Sequence, residues 1–351
     1  MERDKYQEFK DKYSETKLFD TYYIDLEMVE TLFDDNWIYL LQKIALDSQE
    51  HDIEILSDIK KRLDVELNNL DVSFRYSSDH SSWSVFYALK EIIDQIEDCL
   101  PDGYKTYYRG QAGSWELLPT LFRIGNNGYS DDFRNNYDHI YKKISQKFPE
   151  DVTYFPLDKE NMDQRATNLA ELQHYGLGTP LIDISENPFI SLLFMVDGYA
   201  NNGAEPQLDV FFVREDGKNS LFQEVVKKKQ NKRISVQKGA FLNFDRLTDE
   251  NLYGNSKIPR ICIRLKYLED KFDAQEISDL PGGSDETLDD TESKKNRVLQ
   301  TAVSDIKNKL TTYHYRTEDL FPDFYMYLSV LKTQYSDTGK QRKDKWYQVS
   351  D

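Results

Sequence analysis

The spacing of apolar residues changes partway along this chain, and that change limits the folds open to it. Between Leu26 and Leu46, the residues Leu26, Val29, Leu32, Phe33, Trp37, Leu40, Leu41, Ile44 and Ala45 recur at three- and four-residue steps. That spacing predicts one amphipathic helix. Apolar positions from Ile53 to Leu70 predict a second. A third is expected from Trp83 to about Ile96, capped by Ser81 or Ser82 and stopped at Pro101-Asp102-Gly103. After residue 100 the texture shifts. Thr106-Tyr107-Tyr108 reads as a strand that ends in a turn at Arg109-Gly110. Residues 131–148 and 160–174 read as helical, and Thr179–Ile184 as a strand. Asn187-Pro188 opens an apolar helix to Tyr199, with proline where its missing N–H costs nothing. Residues 208–213 and 259–265 read as strands, 297–310 as a helix and 320–331 as a last apolar segment. Helices and strands do not alternate strictly. The expected class is α+β: an amino-terminal helical region, then a mixed or antiparallel sheet with surrounding helices.

Charge divides the chain further. The 351 residues carry 45 Lys+Arg and 63 Asp+Glu, a net charge of −18. Residues 1–99 hold about −13 of it and residues 269–292 about −9, while 100–268 balance and the tail from 293 is mildly basic. The expected organisation is an acidic helical region at 1–99 and a core at 100–268. An acidic linker or loop insertion follows at 269–292, and a carboxy-terminal helical part at 293–351 completes the core. So acidic a chain has no sequence-wide attraction for nucleic acid or anionic lipid. No apolar run is long enough for a membrane span, and Met1-Glu2-Arg3-Asp4-Lys5 shows no secretory signal, so a cytoplasmic location is expected. Cys99 and Cys262 make no disulfide framework, and the five scattered histidines make no zinc cluster, so no metal is expected.

Strong catalytic motifs are missing: there is no Walker loop, Rossmann fingerprint, His-Glu-x-x-His or nucleophile elbow. Two clusters carry what chemistry there is. In Tyr107-Tyr108-Arg109-Gly110-Gln111, with Arg123 downstream, guanidinium forks suited to phosphate or carboxylate stand beside backbone that a ligand can approach. An equally open reading pairs Arg109 with a buried carboxylate and leaves Gly110 to a turn. In Gln173-His174-Tyr175-Gly176 through Asp183-Ile184-Ser185-Glu186-Asn187-Pro188, polar groups gather at the end of a strand before a helix amino terminus, a common anion-holding arrangement. Here too Asp183 or Ser185 could serve as a helix cap, and His174 as a hydrogen-bonded turn residue. Hydrolysis by His174 and Asp183 is a weaker alternative.

These clusters resemble the FRG domain. Tyr-Arg-Gly-Gln is followed by Leu117-Leu118-Pro119 and Leu121-Phe122-Arg123, then by Gln173-His174-Tyr175-Gly176 and Leu181-Ile182-Asp183. The resemblance continues at Arg233-Ile234, Gln237 and Gly239-Ala240-Phe241, and at Leu320-Phe321-Pro322-Asp323-Phe324, so that it covers roughly 83–331. Pro180 and Ile184 stand where that family has Arg and Trp. The resemblance implies a bacterial or phage-associated protein of defence or toxin type. Its motif order is similar to that of ADP-ribosyltransferases. It thereby implies NAD as the ligand, with Arg109, Asp183 and Gln237 in catalytic positions. Gly110, Gln111, Arg123, His174, Tyr175, Ser185, Asn187 and Arg233 would bind substrate or cofactor. A neutral Gln237 stabilises an oxocarbenium-like ribose less well than a glutamate, which shifts that work to Asp183 or Glu186. The alternative is a non-catalytic module that senses a nucleotide or a protein, with a protein partner bound through the amino-terminal region.

Overall fold

The computed structural model describes residues 14–33, 36–76, 84–123, 128–214, 220–225, 236–248, 257–269 and 286–320, together with 327, 328 and 332. Among them are eight α-helices and one mixed sheet of eight strands. The strands are β1 (Phe19–Phe33), β2 (Asn36–Leu46), β3 (Tyr104–Gln111), β4 (Leu181–Ser185), β5 (Gln207–Arg214), β6 (Phe222–Gln223), β7 (Gly239–Asn243) and β8 (Ile258–Tyr267). Their order across the sheet is β2-β1-β8-β5-β3-β4-β7-β6. β1 runs parallel to β8, and the other ladders are antiparallel. The helices are α1 (Glu15–Leu18), α2 (Glu54–Tyr76), α3 (Val85–Asp98), α4 (Asp131–Asn135), α5 (Tyr137–Lys147), α6 (Met162–His174), α7 (Pro188–Asp197) and α8 (Glu286–Thr312).

The class is α+β, but the amino-terminal region begins with strands. The expected helix at 26–46 is the hairpin β1–β2, and the physical reason lies in its register. Tyr22, Ile24, Leu26 and Met28 are fully buried in alternation with half-buried Tyr23, Asp25 and Glu27, a period of two that starts before Leu26. The ladder then shifts between Glu27↔Lys43 and Met28↔Leu41, so a bulge takes up one extra residue of β2. Leu41 and Ile44 therefore both face the core while standing three apart. A bulge in a hairpin has copied the spacing of a helix.

The two neighbouring predictions hold better. α2 buries Leu56, Ile59, Leu63 and Leu67 along one stripe. α3 starts one residue after Ser84, whose Oγ accepts from Phe86 N at 3.2 Å; Ser84 is thus the cap in place of Ser81 or Ser82. Further on, β3 continues through Arg109 and Gly110 to Gln111 and does not turn there. The helical stretch 131–148 is two helices, α4 and α5, meeting at Asn136. Of the expected acidic linker at 269–292, residues 270–285 lie outside the described residues and 286–292 form the first turns of α8. Most of the apolar segment 320–331 also lies outside them.

Packing uses both faces of the sheet. On one face, α2, α3, α7 and α8 share a core with Tyr22, Ile24, Leu26, Val210, Ile261 and Ile263. Farther along that face, α5 and α6 enclose Leu181 and Phe241 in a second cluster. The opposite face packs Tyr107, Phe211, Ile182, Ile184 and Leu242 against Leu18, Leu117 and Leu118. α7 and α6 thus cover neighbouring parts of one face, over β3 and over β4–β7.

Candidate functional site

β4 pairs with β7 over five residues, from Leu181↔Asn243 to Ser185↔Gly239. With β3 it shares the single pair Tyr108↔Ser185. Beyond that pair the two central strands part, and carbonyl groups of β4 that point toward β3 need another donor. Arg109 supplies one: its Nη1 donates to the Asp183 backbone oxygen at 2.7 Å, and its Nε donates to Gln111 Oε1 at 3.2 Å. The parting of the strands is therefore bridged by a guanidinium, and this is where polar side chains collect.

Arg123 belongs to the same place. It follows the short helical turn Thr120–Phe122, and its Nε donates to Leu118 O at 3.1 Å. Arg109 and Arg123 each interact electrostatically with Asp183, and they repel one another. Burial is the main influence on both guanidiniums and pushes their pKa values down, with Asp183 only partly offsetting it. Arg109 nevertheless keeps part of its surface in solvent. Its guanidinium meets Asp183 at the parting of β3 and β4 with part of its surface in water. The Asp183 side chain is exposed in a strand whose other four residues are buried. Its Oδ2 accepts from Gln173 Nε2 at 2.7 Å, and Thr179 Oγ1 donates in turn to Gln173 Oε1. The end of α6 thus orients the carboxylate.

Other expected residues have structural partners. Gly110 lies where α7 crosses β3: a Cβ there would stand 1.7 Å from the Ser191 carbonyl oxygen. Its bareness admits a helix. Asn187 caps α7, its Oδ1 accepting from Phe189 N at 2.9 Å and Ile190 N at 3.4 Å. Ser185 Oγ donates to the Gln237 backbone oxygen at 2.6 Å and accepts from Asn187 N at 3.0 Å, tying the end of β4 to the turn before β7. Gln111 is buried, and its Nε2 donates to Trp115 O at 2.9 Å. His174 is buried at the end of α6, with the exposed Tyr175 ring edge-on at 5.0 Å.

Gln237 is brought beside Ser185 through its backbone, yet its buried side chain donates to Leu320 O at 3.2 Å. Its amide does not join Arg109 and Asp183. Arg233 lies outside the described residues.

Sequence reasoning missed three members. Asp209 is opposite Arg109 in the β3–β5 register, fully buried, and its pKa is raised by burial against the pull of Arg260. Arg260 Nη1 stands 2.5 Å from Glu15 Oε1 and 3.7 Å from Asp209 Oδ1. The signal was an aspartate inside the apolar run Leu208–Val213. Gln173 stands in its sequence motif with no role that the motif itself signals. Among the described residues no three His, Cys, Asp or Glu are grouped to hold a metal ion, and no helix is long and apolar enough to cross a membrane.

Comparison with known proteins adds one finding. No curated protein and no solved structure matches the chain. The FRG domain family matches residues 104–203, which begin at the first residue of β3 and end after α7. That range contains Arg109, Arg123, Gln173 and Asp183, and it stops before the 233–241 and 320–324 segments. At residues 104–203, the span that holds the parting of β3 and β4 around Arg109-Gly110, the chain carries an FRG domain.

Proposed function

We propose that the parting of β3 and β4 forms a recess that binds a phosphate-bearing nucleotide, with NAD as the ligand, and that Arg109 and Arg123 hold its diphosphate. One observation carries this reading: two guanidiniums stand with one exposed carboxylate, Asp183, and burial disfavours the charge of both. The fourth nearby charge, Asp209, is itself pushed toward its neutral form by burial. Positive charge is left over, and an anion relieves it. The donor set fits a diphosphate, since each guanidinium uses Nε within the protein and has further N–H groups to offer.

With NAD bound, loss of nicotinamide would develop positive charge on the ribose. Asp183 would stabilise that charge, and the Gln173 hydrogen bond that orients its carboxylate supports this role. Arg109 and Arg123 bind, Asp183 stabilises, and the chain is an ADP-ribosyltransferase-like effector of the defence or toxin type that the resemblance implies. The commitment of the Gln237 amide to Leu320 favours a second reading, in which the same recess senses a nucleotide without cleaving it.

Calorimetric titration with NAD and ADP-ribose tests binding, and nicotinamide release tests cleavage. Arg109→Ala and Arg123→Ala are each expected to weaken binding about 10- to 100-fold, the range for a hydrogen bond to a charged group. Binding unchanged in both variants would refute the site. Binding without nicotinamide release would leave the sensor reading.

A further inference from the structure

We infer that Trp115 is the stacking platform for the aromatic base of the nucleotide, a reading that rests on the anion site formed by Arg109 and Arg123. The inference starts from Gln111, whose amide faces two ways. Its oxygen accepts from Arg109 Nε, and its nitrogen donates to the Trp115 carbonyl oxygen. Three residues on, the Leu118 carbonyl oxygen accepts from Arg123 Nε. The loop segment 115–118 is therefore strung between the anchors of the two guanidiniums. Leu117 and Leu118 turn into the core, whereas Trp115 is 56 % exposed.

An indole left so far in water forgoes a large burial gain. Its seat is prepared, however. A Cβ on Gly113 would come within 2.9 Å of the indole Cε2 and of the Ala204 Cβ, so the ring lies against a bare stretch of backbone. The indole edge at Cε2 and Cζ2 is backed by Gly113, and more than half of the residue stays exposed. An aromatic surface carried on the segment that anchors a phosphate clamp holds a nucleotide without reading base identity, since every base offers a π-face. Among the described residues Tyr175 is also an exposed ring, but it already meets that of His174. The ligand class follows: a phosphate ester of a nucleoside, whose aromatic base stacks, in preference to a bare sugar phosphate or inorganic anion.

ADP and inorganic pyrophosphate separate the two parts of the site, titrated calorimetrically into the full chain and its variants. Trp115→Ala is expected to weaken ADP about 5- to 100-fold while leaving pyrophosphate unchanged, and Trp115→Phe to retain most of the ADP affinity. ADP should also quench tryptophan fluorescence in the unaltered protein and not in Trp115→Ala. Equal ADP affinity in Trp115→Ala, or loss of ADP binding in Tyr175→Ala instead, would overturn the platform while the anion site stands. If neither ADP nor pyrophosphate binds the unaltered protein, the anion site fails and the platform with it.

Discussion

Replacing Gly110 with alanine puts a methyl group 1.7 Å from the Ser191 carbonyl oxygen and 2.7 Å from both Met195 N and the Ser191 carbonyl carbon. Ordinary contact begins near 3.4 Å, so the deficit to the oxygen is about 1.7 Å. All three obstacles are backbone, and no rotamer change removes them. Either α7 lifts from β3 or β3 bends. α7 is held at its start by the Asn187 cap and packs its Ile190, Leu192, Leu193, Met195 and Val196 into the main core. Overpacking costs about 1–3 kcal/mol when neighbours can shift. Here it should reach the top of that range, and at ~2–4 °C per kcal/mol the melting temperature should fall by about 6 °C or more. Differential scanning calorimetry of Gly110→Ala beside Gly198→Ala measures this. A Cβ at Gly198 would stand 3.3 Å from the Ala112 Cβ, its φ is −82°, and its substitution should stay within about 1 kcal/mol. If Gly110→Ala melts within a degree of the unaltered protein, the close approach of α7 to β3 is refuted. The Arg-Gly pair would then owe its glycine to something other than packing.

Two further outcomes follow from buried charge. Arg165 is 1 % exposed and reaches Asp245 Oδ2 and Asp138 Oδ1, each at 2.8 Å. Arg165→Met should therefore cost about 3–5 kcal/mol in urea unfolding by stranding buried Asp245, and adding Asp245→Asn should recover part of that loss; a cost below about 1 kcal/mol would contradict the pairing. For Asp209, burial raises the folded pKa, so the unfolded chain ionises first as pH rises from about 4. The melting temperature of Asp209→Asn minus that of the unaltered protein should grow with pH in that window and level off above the folded pKa; a difference that shrinks would show that Arg260 holds Asp209 ionised.

What could be read from sequence was what is written locally. α2, α3, α6 and α7, and the strands β4, β5 and β8, each show their period within a dozen residues, and each was found within a few residues of its place. The β1–β2 hairpin failed that test because its stretch from Leu26 holds only the end of the β1 alternation, and the bulge in β2 sets Leu41 and Ile44 three apart on one face. β3 runs past its expected end at Arg109 because Gly110 serves contact between strand and helix and makes no turn. In the candidate site, the nearness of Arg109 to Asp183 was legible from motif order. Asp209 and Arg260 were not, since they join through ladder registers between distant segments. Gln237 followed its expected position but not its expected direction, because the backbone at Leu320 claims its amide.

The parallel pairing of β1 with β8 bears on how the chain comes off the ribosome. Phe19 meets Ile258 and Met28 meets Tyr267, so β1 waits for most of the polypeptide before its second neighbour exists. At ~5–20 residues per second that wait is on the order of tens of seconds. β2, α2 and α3 emerge soon after β1 and bury its apolar side, as they do in the finished core. Its hydrogen-bonding edge stays open until β8 is made. Nascent chains of this protein thus carry a strand edge awaiting its mate, and slower translation beyond residue 46 should raise the share lost to aggregation.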